Sequence, residues 1–208
     1  MVKTLNLSYA YKQSKTLKFP DIDLPPRDHL LVIGPSGAGK TTLLHLMAGL
    51  LPALQGSISI DGTVLDSLIR RQLDRFRGEQ MGIIFQEYYF IKSLNVFENL
   101  KLRQNYPSRS YDKKRLFELV ERLGLSENLY DQVTALSKGQ QQRLGIALGL
   151  IHKPKVIFAD EPTSNLDDLN CTKVVNLLKE EAEICKSSLI IITHDQRVMS
   201  HFNNQITL

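Results

Sequence analysis

No run of this 208-residue chain approaches the roughly 18 uninterrupted apolar residues that a membrane-spanning helix needs. Its opening, Met1-Val2-Lys3-Thr4-Leu5-Asn6, lacks the apolar stretch and small-residue cleavage site of a secretory signal. These absences predict a cytoplasmic chain whose membrane role, if it has one, requires a partner. Cysteine is scarce too. Cys171 and Cys185 fall in one predicted helix, where fourteen residues span about 21 Å. A disulfide needs Cα atoms within about 7 Å, so reduced structural thiols are expected. No block of five or six like charges occurs, and 26 basic against 22 acidic residues leave a net charge of +4. Such a mild excess serves solubility, and no nucleic-acid partner is expected. The densest basic stretch, Arg70 to Arg77, is interrupted by Asp74; it reads first as a solvated helix face and second as a partner or lipid-headgroup surface. No internal repeat or low-complexity linker divides the chain, which predicts a single unit over residues 1–208.

What is present is an alternation of short apolar runs with helical periodicity, the pattern of an α/β protein with a mostly parallel sheet. His29 to Ile33 reads as a buried strand leading into a glycine loop, followed by a helix from Thr41 to Leu51. Val156 to Ala159 and Leu189 to Ile192 suit central strands covered on both faces, and each ends in polar residues, Asp160-Glu161 and Thr193-His194-Asp195. Ligands gather at the carboxyl ends of strands in such sheets. By contrast, Leu5 to Tyr9, Leu17 to Phe19 and Ser57 to Ile60 alternate, and Asp61-Gly62 signals a tight turn before Thr63-Val64-Leu65. These predict a small N-terminal antiparallel subdomain beside the parallel sheet. The middle reads as helical, with Tyr111 to Leu123 ending at Gly124 as its C-cap.

Gly34-Pro35-Ser36-Gly37-Ala38-Gly39-Lys40-Thr41-Thr42 has the full spacing of a phosphate-cradling loop, between a strand and a helix as that role requires. Glycines let successive N–H groups face phosphate oxygens, and the helix N-terminus adds positive potential. Lys40 is expected at the β- and γ-phosphates and the Thr41 hydroxyl at Mg²⁺. With that loop in the same sheet, Asp160 becomes a candidate for the Mg²⁺ shell and Glu161 for the general base that orients a water. His194 is placed to contact the γ-phosphate, whereas His29, His45, His152 and His201 read as structural.

Taken in order, these residues resemble the ATP-binding subunit of ABC transporters over nearly the whole chain. The resemblance implies a P-loop NTPase core with an inserted helical subdomain at about residues 87–152, ATP and Mg²⁺ as cofactors, and ATP hydrolysis as the activity. It implies that Gln86 is the Q-loop glutamine touching Mg²⁺ and that Leu136-Ser137-Lys138-Gly139-Gln140 is the signature that acts on the opposite subunit's nucleotide. Ser164-Asn165-Leu166-Asp167 resembles the D-loop, which crosses between subunits, and His194 the switch histidine. Tyr11 fits the adenine-stacking aromatic, with Tyr9 as the competing choice. Two cassettes, identical or different, would pair in the ATP state. Their partner would be an integral membrane permease-type subunit, holding the chain on the inner face of the cell membrane.

Two departures from the family stand out. Lys138 occupies the usual first signature glycine, where a positive φ would strain a lysine by about 1 kcal/mol. Leu148-Gly149 replaces the usual Arg-Ala pair, and Gly145 and Gly149 are expected to weaken their helix by about 0.5–1 kcal/mol each. Neither is expected to abolish hydrolysis. The aromatic segment Glu87 to Leu94 is expected to carry the coupling surface. Arg77 to Gln86, with Asn95 to Leu100 and the end at Leu208, resembles the branch serving lipoprotein release, macrolide-type efflux and the division-linked complex. The alternative is a soluble ABC ATPase, of which the iron–sulfur cluster assembly form is the harder to exclude. A nucleotide-binding regulator without hydrolysis conflicts with the presence of Glu161 and His194.

Overall fold

The computed structural model describes residues 2–11, 16–105, 111–164 and 166–208. The chain begins with strands β1 (Val2–Tyr9), β2 (Leu17–Lys18), β3 (Ile22–Leu24) and β4 (His29–Ile33), then helix α1 (Lys40–Met47). Strands β5 (Gln55–Ile60) and β6 (Thr63–Val64) precede α2 (Arg70–Gln80) and β7 (Met81–Ile84). The helices α3 (Val96–Gln104), α4 (Lys113–Arg122) and α5 (Lys138–Leu150) intervene before β8 (Val156–Asp160). Finally come α6 (Asp168–Cys185), β9 (Ser188–Thr193) and β10 (Gln205–Thr207).

Strand order β10-β4-β9-β8-β7 makes a sheet that is parallel throughout. Strands β2-β1-β5-β6, with β3 also paired to β1, make the antiparallel sheet. The turn between β5 and β6 is held by Asp61 and Gly62, both at positive φ (51° and 82°), the geometry of a two-residue hairpin.

Central strands read as unbroken apolar runs because both faces are covered. Val156, Phe158, Ile190 and Ile192 join a core built with α1 and the antiparallel sheet. Ile157, Ala159, Leu189 and Ile191 join the other core, built from α3, α4, α5 and α6. The period-two geometry of a strand sends alternate side chains to the two cores.

Local chemistry sets the helix ends. Asn95 and Glu98 form a reciprocal capping box on α3, and Ser137 and Gln140 do the same on α5. Asp112 caps α4 and Asp167 caps α6. Helix α1 stops at Met47, short of the expected Leu51, because Gly49 turns to φ 62° and the backbone N–H groups of Leu50 and Leu51 return to His45 O. Helix α4 ends as its C-cap predicts, with Gly124 at φ 61°.

Gly145 and Gly149 are where the helix needs them. A Cβ on Gly145 would lie 2.7 Å from Tyr88 Cδ1, and one on Gly149 would lie 2.7 Å from Ile84 Cγ1. Opposite, a Cβ on Gly82 would meet Gly149 O at 2.2 Å. Helix α5 therefore touches β7 backbone to backbone, which offsets the propensity cost of its glycines.

A buried ion pair joins the far ends of two helices. Arg115 Nη2 donates to Glu181 Oε2 at 2.7 Å and to Leu150 O, the last residue of α5, at 3.3 Å. Arg122 Nε lies 2.7 Å from Glu181 Oε1, an ion pair outside hydrogen-bond geometry. Cys171 and Cys185 both lie on α6 as free thiols.

Candidate active site

Register brings the site together. Ile33 of β4 pairs with Thr193 of β9, and Ile192 pairs with Asp160 of β8. The residues that follow, Gly34, His194 and Glu161, therefore emerge side by side at the carboxyl edge of three adjacent strands.

Between β4 and α1, Gly37 and Gly39 take φ of 82° and 94°, a left-handed turn that glycine adopts without strain. Gly39 also lies under the antiparallel sheet, where an added Cβ would meet Leu17 Cδ1 at 3.2 Å and Phe19 Cε1 at 3.3 Å. The loop formed by Gly34, Pro35, Ser36, Gly37, Ala38 and Gly39 runs straight into α1, which carries Lys40, Thr41 and Thr42. Lys40 curls back over it, its ammonium donating to Gly34 O at 2.8 Å and Pro35 O at 3.0 Å. Tyr11 reaches the same place from the end of β1, its hydroxyl 3.0 Å from Thr42 Oγ1. Tyr9 packs edge-on against it, with ring centroids 4.8 Å apart.

Thr41 Oγ1 donates to Asp160 Oδ1 at 3.3 Å. Burial pushes the Asp160 carboxyl up from its ordinary range, while the Thr41 hydrogen bond pulls the other way. Both donors are hard oxygens. Among the described residues no group of three or more His, Cys, Asp or Glu is arranged to hold a metal ion by itself. A divalent ion held by Thr41 and Asp160 would therefore draw its other ligands from phosphate, water and amide oxygens, a donor set that fits Mg²⁺.

Glu161 is the most constrained residue of the site. Its φ is 48°, a left-handed conformation that costs a non-glycine residue energy and is found where surrounding contacts enforce it. Thr193 Oγ1 donates to Glu161 Oε2 at 2.7 Å, the His194 N–H donates to Oε1 at 3.1 Å, and His194 Nδ1 lies 2.8 Å from Oε1. Lys40 Nζ stands 3.7 Å from the same oxygen. Phosphate loop, acidic strand end and histidine thus meet at one carboxylate.

Against known proteins, the family described as ABC transporter matches residues 17–164. The chain belongs to the ABC transporter family. It is an ATP-binding subunit of that family, an ATPase. The cassette is 32% identical to the lipoprotein-releasing system ATP-binding protein LolD of Hydrogenovibrio crunogenus, covering 100% of this chain and 93% of that one. It is 36% identical to an uncharacterized ABC transporter ATP-binding protein of Methanocaldococcus jannaschii, covering 96% and 91%. Among solved structures it resembles a dimeric bacterial ABC transporter cassette, with a TM-score of 0.91 and 29% identity over 100% of this chain and 94% of that one. The same cassette in a post-hydrolysis state with ADP and Pi superposes at 0.90 and 30% identity, with the same coverage.

Four of the cassette's remaining candidate residues gather on one groove. Gln86, Lys138, Gly139 and Ser164 line a groove of about 860 Å³, and among the described residues none of 34–42 lines it. Ser137 caps α5, accepting from the Gln140 N–H at 3.3 Å while Gln140 Oε1 accepts from the Ser137 N–H at 2.8 Å. Lys138 is the first residue of that helix and is not among the residues of positive φ, so lysine here is unstrained and its side chain is exposed. Asp167 accepts from the Asn170 N–H at 2.8 Å, and that bond holds its carboxyl below the usual range. Asn165 lies outside the described residues.

Two contacts were not foreseen from sequence. Thr193 was visible only as a polar residue ending an apolar strand, with nothing to assign its hydroxyl to Glu161. Gln142 Nε2 donates to Pro162 O at 2.6 Å, tying α5 to the segment after Glu161. Its place within the signature stretch was the only signal. A second, apolar groove of about 730 Å³ lies beside the first, lined in part by Leu50, Met81, Phe85, Tyr88, Tyr89 and Leu102. Tyr89 is 72% exposed and stacks edge-on against Phe85, whereas Tyr88 and Phe90 are partly buried.

Proposed function

We propose that two copies of the cassette close head to tail on ATP, and that closure and hydrolysis drive a membrane-embedded partner. What carries this reading is that Ser137 and Gly139 open α5 beside a groove that, among the described residues, none of 34–42 lines. An exposed helix N-terminus, with the Ser137 hydroxyl proton and the Gly139 N–H left to donate, suits an anion, and the anion at hand is the γ-phosphate held by another copy. Tyr11 then stacks on adenine, residues 34–42 cradle the phosphates, and Ser137, Lys138, Gly139 and Gln140 cap the nucleotide from the opposite subunit. Ser164 and Asp167 border the same interface.

Mg²⁺, held by Thr41, by Asp160 and by Gln86, would neutralise charge on the β- and γ-phosphates. Glu161 orients the attacking water and accepts its proton, a task helped by Thr193 and the His194 N–H fixing its carboxylate. His194 contacts the γ-phosphate and keeps Glu161 in register with it. Lys40 stabilises charge as the phosphoryl group transfers. Hydrolysis removes the charge link between the copies, and the pair opens.

Among the described residues no helix is long and apolar enough to cross a membrane. The membrane partner is therefore a separate permease-type chain that holds the cassette on the cytoplasmic face, with the apolar groove and Tyr89 as its docking site. Similarity to LolD favours a partner that transmits mechanical work to the far side of the membrane, with lipoprotein as cargo. The experiment is to purify Glu161→Gln with saturating Mg-ATP and measure its mass in solution. A stable dimer that dissolves on removing ATP is expected, and a monomer under those conditions refutes the head-to-tail reading. Recovery of a multispanning membrane protein with the same variant from native cells tests the transport half, and recovery of soluble proteins alone would overturn it.

A further inference from the structure

Beyond the residues that face nucleotide, we propose that Arg197 is a positioning residue that locks the end of β9, where His194 stands, to the segment entering α6. Its guanidinium grips Asp195 with two prongs, Nε to Oδ1 at 2.9 Å and Nη2 to Oδ2 at 2.8 Å. The same fork donates to Leu166 O at 3.1 Å and to Asp168 Oδ1 at 2.6 Å. Asp195 also accepts from the buried Thr163 hydroxyl at 3.1 Å and lies 3.6 Å from Cys171 Sγ. Arg197 holds its carboxyl down at about 2, so the anchor is ionised at every working pH.

These contacts close a ring. Glu161 touches His194, and His194 is followed by Asp195, which Arg197 clasps. Arg197 in turn holds Leu166 and Asp168, on either side of Asp167, and Thr163 leads back to Glu161 two residues away. Stability accounts for the Asp195 half of the grip but gives little reason for the other, because the Arg197 side chain is 40% and Asp168 87% exposed, and exposed pairs contribute little. Geometry gives a better one. A planar fork with five N–H donors fixes the direction of its partners, and a lysine ammonium does not. Arg197 thus makes the position of residues 166–168 depend on the position of His194. This rests on the reading that Ser164 to Asp167 borders a second copy.

The test uses the full chain with Arg197→Met and Arg197→Lys, each also in the Glu161→Gln background. We expect both variants to stay folded at the assay temperature, melting a few degrees below their parents because Asp195 loses its clasp, and to bind a fluorescent ATP analogue as monomers within about twofold. We expect kcat to fall about tenfold, with KM for ATP changed far less, and ATP-driven dimerisation to need about tenfold more protein. Lysine, which keeps the charge, should not restore either. Unchanged kcat and dimerisation in a wild type that hydrolyses and a Glu161→Gln that dimerises would overturn this inference alone. So would full rescue by lysine, or a loss of kcat that only tracks a lowered melting point. A Glu161→Gln parent that stays monomeric overturns the proposed function and this inference with it.

Discussion

The Arg115–Glu181–Arg122 cluster makes an unequal prediction for its members. Glu181 is 0% exposed and faces two cations, Arg115 at 2.7 Å and Arg122 at 2.7 Å. Glu181→Gln keeps the shape and removes the anion that Arg115 faces, leaving Arg115, itself 4% exposed, as an uncompensated buried charge. Breaking a buried pair in this way costs about 3–5 kcal/mol. Arg115→Met leaves Glu181 with Arg122 and loses the bond to Leu150 O, so its cost is nearer that of one charged hydrogen bond, about 1.5–3 kcal/mol. Replacing both by Met and Leu removes the desolvated charges together, and such exchanges are often neutral or stabilising. The expected order of stability is therefore wild type near the double variant, then Arg115→Met, then Glu181→Gln. At about 2–4 °C per kcal/mol for a chain of this size, Glu181→Gln should melt about 6–20 °C lower. Urea unfolding followed by circular dichroism, with the melting curve as a second reading, measures the series. Equal losses in the two single variants, or a double variant as unstable as the sum of both, would refute the account.

Gly82→Ala should destabilise by about 1–3 kcal/mol, because its Cβ meets a backbone oxygen that cannot swing away; Gly145→Ala should cost less, since Tyr88 can rotate, and thermal melts of the two decide it. Asp195, whose carboxyl is held down at about 2, contributes stability that is complete above its ordinary value near 4 and is lost as the pH falls from there toward 2. The stability difference between wild type and Asp195→Asn should therefore shrink across that interval in denaturant titrations, and a constant difference would contradict the assignment.

Much of the fold was legible because two physical signals coincide here. Unbroken apolar runs at His29, Val156 and Leu189 mark strands covered on both faces, and each became a strand within a residue of its expected limits. Alternation near the N-terminus marked the antiparallel sheet, and Asp61-Gly62 marked its turn. The strands β3 and β10 left no comparable trace, being three residues each and stabilised by neighbours rather than by their own pattern. For the site, spacing alone singled out residues 34–42 and the strand-end acids, and the sheet register brings them to one edge. Thr193, Gln142 and Arg197 were not, because their roles depend on which carbonyl or carboxylate the fold brings opposite them. Gly145 and Gly149 were misjudged for the same reason: propensity sees the helix alone, and the close approach to β7 and Tyr88 is visible only in three dimensions.

The alternation along β8 and β9 makes the parallel sheet a partition with two separate audiences. Even-numbered positions such as Val156, Phe158, Ile190 and Ile192 speak to the lobe that bears the phosphate loop, while Ile157, Ala159, Leu189 and Ile191 speak to the lobe that bears the signature. On the proposed head-to-tail pairing, the two lobes can thus be retuned independently, by drift at positions of opposite parity, while the strands between them keep a fixed register and carry Asp160, Glu161 and His194 unchanged.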